Sequence, residues 1–449
     1  MKVLILSHIS ELLGGAERSM LDVVELWVKD YGIEPELILR KPIRSLAGEL
    51  QKRGWKYHVM DYTFWSDARP PVDSESKFRQ ASQNTMAVLE IEKIIKKTKP
   101  DVVMTNSMVS PWAGVAAHYQ GVPHIWFVRE YGDLDHGRLF EIGREKTWQD
   151  VGKLSSVVIT ISQALAGHLA KYMPKEKIRI LYNPFNIDEI QVKADEPIAN
   201  PYRKGDSLKL VIIGNLSPSK GQHEVVEAVG RLNDEGFNIE LCIVGDKGPD
   251  KYLKTVKQSI KKHKIKRKVH FVGRHINPLP FVKNADVCLM TSRREAFGRV
   301  TFEYLVLGKP VVGANSGATP EMVKDGVNGF LYKAGDIESL TGSIRKYAIQ
   351  PNLIAEHGPA SVKRAQAMMA GEYNAKDLYT YITEAIKNFK PEQPLHISHQ
   401  WLSYPTLAQQ YIDDTRAISL KIILKQRSRR KAKWIYKNLR TSIAKKTGK

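Results

Sequence analysis

Short apolar runs alternate with longer stretches of mixed apolar and charged residues from Lys2 almost to Lys390. In the first half these runs are Lys2–Ser7, Glu36–Leu39, Asp101–Thr105, His124–Val128, Ser156–Ile161 and Ile178–Leu181. In the second they are Lys209–Ile213, Ile239–Val244, Val269–Val272, Asp286–Met290, Pro310–Gly313 and Gly329–Tyr332. Most are apolar on consecutive rather than alternate residues, the pattern of parallel strands covered on both faces. Strand–helix alternation of this length predicts doubly wound α/β layers. The strands are too many for one comfortable sheet, so two domains facing a cleft are expected.

The best seam is Asp188 to Asp206, which is rich in charge and proline, has no evident apolar periodicity, and is followed by a fresh strand. The expected units are an N-terminal Rossmann-like domain over 1–187 and a C-terminal one over 206–375. A crossover helix over 376–390 and a basic extension over 391–449 follow.

Composition narrows the classes. Of 449 residues 42% are hydrophobic and 26% charged, enough for ordinary folded cores. No apolar stretch approaches the ~18 residues of a membrane-spanning helix. The opening Met1-Lys2-Val3-Leu4-Ile5-Leu6-Ser7 is too short for a signal peptide and reads as a strand. The two cysteines, Cys242 and Cys288, each sit inside an apolar run, which excludes a disulfide framework or a cysteine metal site and fits a cytoplasmic interior.

The net charge is +21, and its distribution says more than its size. Twelve Lys or Arg and no acidic residue fall between Lys421 and Lys449, leaving +9 on the other 420 residues, the difference between +21 and +12. Apolar residues at Ala417, Leu420, Leu424, Ala432, Ile435, Tyr436, Leu439 and Ile443 recur near helical spacing among these cations. Residues 417–449 therefore suit an anionic membrane surface, with a solvated tail or a nucleic-acid arm as the other readings and nucleic acid the least favoured.

In open α/β sheets ligands bind beyond the carboxyl ends of the strands, and the unusual residues cluster there. After Asp286–Met290 comes Arg294-Glu295-Ala296-Phe297-Gly298-Arg299-Val300-Thr301-Phe302-Glu303. A helix starting beside Gly298 offers free amides and a partial positive charge to a phosphate. Glu303 stands four residues beyond Arg299, about 6 Å along the axis, within reach of ribose hydroxyls. Glu295 flanks the other end. Upstream, Val211-Ile212-Ile213 leads into Gly214-Asn215-Leu216-Ser217-Pro218-Ser219-Lys220-Gly221; downstream lie Gly308-Lys309-Pro310, Gly317-Ala318-Thr319-Pro320-Glu321 and Asp325-Gly326-Val327-Asn328-Gly329. Near the N-terminus the first strand leads into Gly14-Gly15-Ala16-Glu17.

In this order and spacing the set resembles retaining glycosyltransferase family 4 with the GT-B fold, over roughly residues 2 to 390. The resemblance implies transfer of a sugar from a nucleotide diphosphate sugar to a hydroxyl on a glycan or glycolipid acceptor, with retention of configuration and without a metal or other cofactor. Glu295 then stands for the glutamate at the donor sugar, Glu303 for the one holding the ribose, and Lys220 for the lysine on the diphosphate. Gly15 matches the glycine closing over the diphosphate, and the turn Phe297-Gly298-Arg299-Val300 its amide cradle. The expected catalytic groups are Glu295, Lys220 and Arg129.

Two positions depart from the family's pattern. Asn215 stands where an arginine is common, so Arg294 or Arg299 is the expected replacement cation. Gly121-Val122-Pro123 leads to Arg129-Glu130 where a histidine is common, so Arg129 is the expected stand-in, binding a hydroxyl or an acidic group. His118, His124 and His136 do not fit the spacing. The loop Gly273-Arg274-His275 is the expected site of base selection. Asp133-Leu134-Asp135 matches a metal-binding pattern of the other large glycosyltransferase fold but lacks its context. No Gly-x-Gly-x-x-Gly, Walker A or His-Glu-x-x-His pattern is present. A non-catalytic nucleotide-sugar-binding protein and a nucleotide-sugar epimerase of the same architecture are the alternatives. A position on the inner face of the cytoplasmic membrane follows from the tail and the resemblance together.

Overall fold

In the computed structural model, residues 1–12, 15–67, 73–371 and 375–391 are described. The basic segment 417–449 lies outside them. Fifteen strands are present among the described residues: β1 (Lys2–Ser7), β2 (Glu34–Arg40), β3 (Lys56–Met60), β4 (Ser66–Asp67), β5 (Val102–Asn106), β6 (His124–Val128), β7 (Leu139–Phe140), β8 (Val157–Thr160), β9 (Ile178–Ile180), β10 (Leu208–Ile213), β11 (Ile239–Val244), β12 (Val269–Gly273), β13 (Val287–Met290), β14 (Val311–Ala314) and β15 (Gly329–Tyr332). The first domain holds a seven-stranded sheet in the order β3-β2-β1-β5-β6-β8-β9, and the second a six-stranded sheet in the order β12-β11-β10-β13-β14-β15. Every pair in both is parallel. The chain is thus α/β with two doubly wound Rossmann-like domains. β4 and β7 form a small antiparallel ribbon beside the first sheet.

The consecutive apolar runs behave as parallel sheets require. All residues of β5, β6, β8, β11, β13 and β14 are buried, because helices cover both faces. Cys242 and Cys288 sit on neighbours of β10, both paired with Val211, as free buried thiols.

The segment 188–206 departs from the expectation of an unstructured seam. Residues Ile187–Ala194 form a helix, capped by the Asn186 side chain on the Glu189 amide at 3.0 Å. Only Ile190 and Ala194 are buried, at a spacing of one turn, so one short apolar edge replaces a full amphipathic period. Helix Ala375–Lys387 returns the chain to the first domain. Tyr379 stacks on Tyr31 at 4.3 Å between ring centroids, Tyr381 donates to the Ile180 carbonyl at 3.3 Å, and Glu384 pairs with Arg179. Among the described residues no helix is long and apolar enough to cross a membrane.

Candidate active site

A cavity of about 330 Å³ opens between the carboxyl ends of the two sheets. From the first domain it is lined by residues just beyond strand ends: His8 after β1, Ser107 after β5, Arg129 and Glu130 after β6, and Asn183 after β9. From the second domain come Ser219 and Lys220 after β10 and the run Arg294 to Arg299 after β13.

Backbone latches hold the second-domain loops. Arg293 donates its amide to the Ser219 carbonyl at 2.9 Å, and the Thr291 hydroxyl donates to the Lys220 carbonyl at 2.7 Å. Gly221 packs so tightly that an added Cβ would lie 2.7 Å from the Thr291 carbonyl oxygen. On the far side, Ala318 donates its amide to the Glu295 carbonyl at 2.9 Å. Gly317, at φ +57°, passes so close that a Cβ there would sit 2.3 Å from the same oxygen. The glycine motifs downstream therefore fix the backbone of Glu295.

So fixed, Glu295 Oε2 accepts from Lys220 Nζ at 2.8 Å. Burial opposes both charges, yet their mutual attraction outweighs it, holding the Glu295 carboxyl below its usual range and the Lys220 ammonium above its own. Gly298 precedes helix Arg299–Val306, and the Thr301 and Phe302 amides both donate to its carbonyl at 2.8 and 3.2 Å. The amides at the very start, on Arg299 and Val300, have no acceptor within the helix, and Gly298 and Arg299 line the cavity. Phe297 packs between Tyr182 and Phe185, which follow β9, at 6.0 and 5.9 Å between ring centroids.

Arginines converge from both sides. Arg299 Nη1 donates to Ser19 Oγ at 3.2 Å, crossing to the first domain, and its Nε lies 3.5 Å from Glu303 Oε1. Arg294 reaches across to lie 5.3 Å over the Tyr131 ring. Glu303 sits one turn along the helix, outside the cavity wall, where burial pushes its carboxyl up against the opposing pull of Arg299. Arg129 is fixed by Asn106 Oδ1 on Nε at 2.5 Å and Asn183 Oδ1 on Nη1 at 2.8 Å, and rests 3.8 Å over the Phe127 ring. Burial pulls its pKa down to about 10.

Of the residues singled out in the sequence, Lys220, Glu295, Phe297, Gly298, Arg299 and Arg129 meet at one cavity, with Val300 next to it. Gly15 starts helix Gly15–Tyr31, whose Ala16, Glu17 and Ser19 line the wall. Asn215 does not face it. Its Oδ1 accepts from the Asp246 amide at 3.0 Å and ties the loop after β10 to the loop after β11. Asn215 is thus a structural strut, while Arg294 and Arg299 both line the cavity. Asp133 pairs with Arg144, and Asp135 accepts from the Tyr131 amide at 2.8 Å. His124 is buried between the Thr105 and Ser155 hydroxyls, and burial drives its pKa down to about 3.

Sequence reasoning missed the His8–Glu17 pair, with Nδ1 and Oε1 2.9 Å apart, and also Ser107, Glu130, Asn106 and Asn183. The signal was available: each falls at or just past the end of a strand or in the first turn of the helix after it.

A glutamate also joins the domains. Glu321 accepts from the Gln163 and Ala164 amides at 3.0 and 2.8 Å and from the Tyr182 hydroxyl at 2.7 Å. It caps helix Gln163–Leu169 of the first domain from the second.

Comparison with known proteins agrees with this geometry. The family model described as glycosyl transferases group 1 matches residues 195–364, and the one described as Glycosyltransferase Family 4 matches residues 13–189. Together they take in most of the chain. The protein is a group 1, family 4 glycosyltransferase.

Its fold is the GT-B fold of this enzyme's structural neighbours. An Anabaena protein, HepE, crystallised in complex with UDP, superposes with a TM-score of 0.64 at 22% identity, covering 86% of this chain and 100% of that one. A glycosyltransferase from Rickettsia africae gives a TM-score of 0.67 at 20% identity, covering 86% and 99%. By sequence, the N-acetyl-alpha-D-glucosaminyl L-malate synthase of Bacillus anthracis is 30% identical over 44% of this chain, which spans half of that enzyme's length. The lipopolysaccharide core biosynthesis glycosyltransferase LpsE of Rhizobium meliloti is 24% identical over 77% of this chain and 89% of its own.

Proposed function

We propose that this glycosyltransferase moves a sugar from a nucleotide diphosphate sugar to a hydroxyl of a glycan or lipid-linked glycan precursor, with retention of configuration. The observation that carries the reading is the Lys220–Glu295 pair set against the first amides of helix Arg299–Val306 in one interdomain cavity. A diphosphate laid on those amides meets Lys220, Arg294 and Arg299, which together stabilise the charge that builds as the sugar–phosphate bond breaks. Lys220, Arg294, Arg299 and the helix start supply this stabilisation without a metal or other cofactor. Glu303, one turn along, is placed for the ribose hydroxyls, and Glu295 for the sugar near its reacting carbon.

The bond from the anomeric carbon to the diphosphate breaks while the acceptor oxygen bonds to that carbon from the same face. The acceptor's proton passes to the departing phosphate. The acceptor enters beside Gly15 and Arg129, and closure of the two domains expels water that would otherwise hydrolyse the donor. UDP and UDP-glucose bound to the HepE neighbour support a nucleotide-sugar donor. The acceptor class rests on relatives named for lipopolysaccharide and capsular polysaccharide synthesis.

Thermal-shift screening with uridine, guanosine, adenosine and thymidine diphosphates tests the donor site. One should stabilise the protein, and its sugar derivative should release nucleotide slowly without an acceptor, in EDTA as in buffer. Failure of all four to bind overturns the reading. Product analysis separates the enzyme classes: a glycoside marks transfer, and an epimerised or free sugar with no glycoside counts against it. The basic segment 417–449 is proposed to hold the enzyme on an anionic membrane face, about 1 kcal/mol per cation near the surface. Truncation after Pro391 should abolish flotation with anionic vesicles.

A further inference from the structure

Arg129 is 6% exposed, and the acids around it act on its charge only from beyond ion-pair distance. Its Nε and Nη1 are held by two neutral amide oxygens, of Asn106 and Asn183, and the ring of Phe127 covers one face. Its Nη2 is buried with no hydrogen-bond acceptor among the described residues, and so is the neighbouring Asn106 Nδ2. Among the described residues no carboxylate lies within 4.0 Å of the guanidinium. The nearby acids, Glu17, Glu130 and Asp22, attract it from beyond that distance. Glu130 accepts from Ser107 and from the Met108 amide at 2.8 Å, and Glu17 faces His8. Neutral amides orient a guanidinium without neutralising it, and a buried charge left in that state is unfavourable. Arg129 itself lines the cavity, so its unpartnered Nη2, with the unpartnered Asn106 amide behind it, leaves donor capacity beside that space for an anion.

We propose that Arg129 receives a carboxylate or phosphate carried by the substrate on the first-domain side of the cavity, separate from the donor diphosphate. The transferred sugar or the acceptor therefore bears an acidic group. This rests on the donor reading above for the place of the diphosphate, which Lys220 and the helix start occupy from the other domain. Arg129 is preorganised by Asn106, Asn183 and Phe127, so its unpartnered Nη2 is already in position and the anion satisfies it on binding.

The test uses the full chain with the nucleotide diphosphate that stabilises it most, and D-glucuronate, glucose 6-phosphate and D-glucose as probes. At saturating nucleotide, the two acidic sugars should bind at least tenfold tighter than glucose to the wild type. In Arg129→Gln that preference should vanish, and in Arg129→Lys it should fall severalfold, while the nucleotide diphosphate alone binds all three proteins within about twofold. If the glucuronosyl derivative of that nucleotide outbinds the glucosyl one, the acid is on the transferred sugar. If instead glucuronate binds on top of the glucosyl donor, it is on the acceptor.

Equal binding of glucose and the acidic sugars to wild type overturns the proposal. So does a tenfold loss of nucleotide affinity in Arg129→Gln, which would give the arginine to the diphosphate. Failure of every nucleotide refutes the donor reading by itself, and the sugar-acid comparison without nucleotide then still decides the role of Arg129. Thermal unfolding adds a readout that a purely structural arginine would not share: an acidic sugar should raise the melting temperature of wild type and leave that of Arg129→Gln unchanged.

Discussion

Lys220 Nζ and Glu295 Oε2 lie 2.8 Å apart, joining the loop after β10 to the loop after β13. Each residue is set by a different latch, Thr291 on the Lys220 carbonyl and Ala318 on the Glu295 carbonyl. The cavity therefore presents a fixed cation and a fixed carboxylate side by side. Replacing Lys220 by Ala should lower kcat/KM by about 10²–10³, the loss typical of removing one donor to developing charge. Glu295→Gln should lower kcat more than it raises the donor KM. Steady-state kinetics on both variants checks this.

The same pair sets a pH window. Glu295 titrates below its unfolded value, so its share of stability is present above the ordinary glutamate range and is lost as pH falls through the lowered value. Lys220 titrates above its unfolded value, so its share is present below the ordinary lysine range and is lost as pH rises through the raised value. The pair's own contribution to donor affinity should be flat from about pH 5 to about pH 10, since neither group changes charge there. Donor binding followed by calorimetry across pH measures it. A midpoint inside that range that disappears in Lys220→Ala or Glu295→Gln would contradict it.

Gly317→Ala places a methyl group 2.3 Å from the Glu295 carbonyl oxygen, at a positive φ that alanine disfavours. The loop carrying Glu295 must move. Activity should fall by roughly 10²-fold, since a shift of about 1 Å at a reacting group has that effect, while far-ultraviolet circular dichroism stays unchanged. Gly342→Ala, with open space around its Cβ, serves as the control.

Glu321 closes the far side of the cleft by capping helix Gln163–Leu169. Glu321→Ala should cost about 1–2 kcal/mol, the usual worth of a helix cap, read from denaturant unfolding. It should also enlarge the radius of gyration in small-angle scattering, because the contact crosses between domains.

His124 is held neutral by burial, with its pKa down at about 3. A base whose folded pKa is depressed adds stability above its unfolded value, and that stability drains away as pH falls toward the folded one. Denaturant midpoints should therefore decline from about pH 6.5 downward, by up to about 1.4 kcal/mol per pH unit from this group. His124→Gln should flatten that decline and leave the pH profile of turnover between 6 and 8 unaltered.

The fold was largely legible because buried parallel strands are apolar on every residue. The strand Lys56–Met60 escaped notice since Lys56, Tyr57 and His58 leave it half polar at the sheet edge, and β4 and β7 are two residues each. The second-domain site was readable because two short continuous segments, 214–221 and 294–303, carry it. On the first-domain side only Arg129 was readable, since His8, Asn106 and Asn183 come from other strand ends far apart in sequence. Only the sheet order β1-β5-β6-β8-β9 makes them neighbours. Asn215 was legible as a departure from the family's pattern, but its tie to the Asp246 amide needed the adjacency of β10 and β11.

A crystal structure of the full chain with the nucleotide diphosphate sugar it binds tests the central claim most directly. The two phosphates should rest on the amides of Arg299 and Val300, with Lys220 Nζ within hydrogen-bond reach and Glu303 on the ribose. A nucleotide seated elsewhere, or phosphates facing away from the start of helix Arg299–Val306, would contradict it.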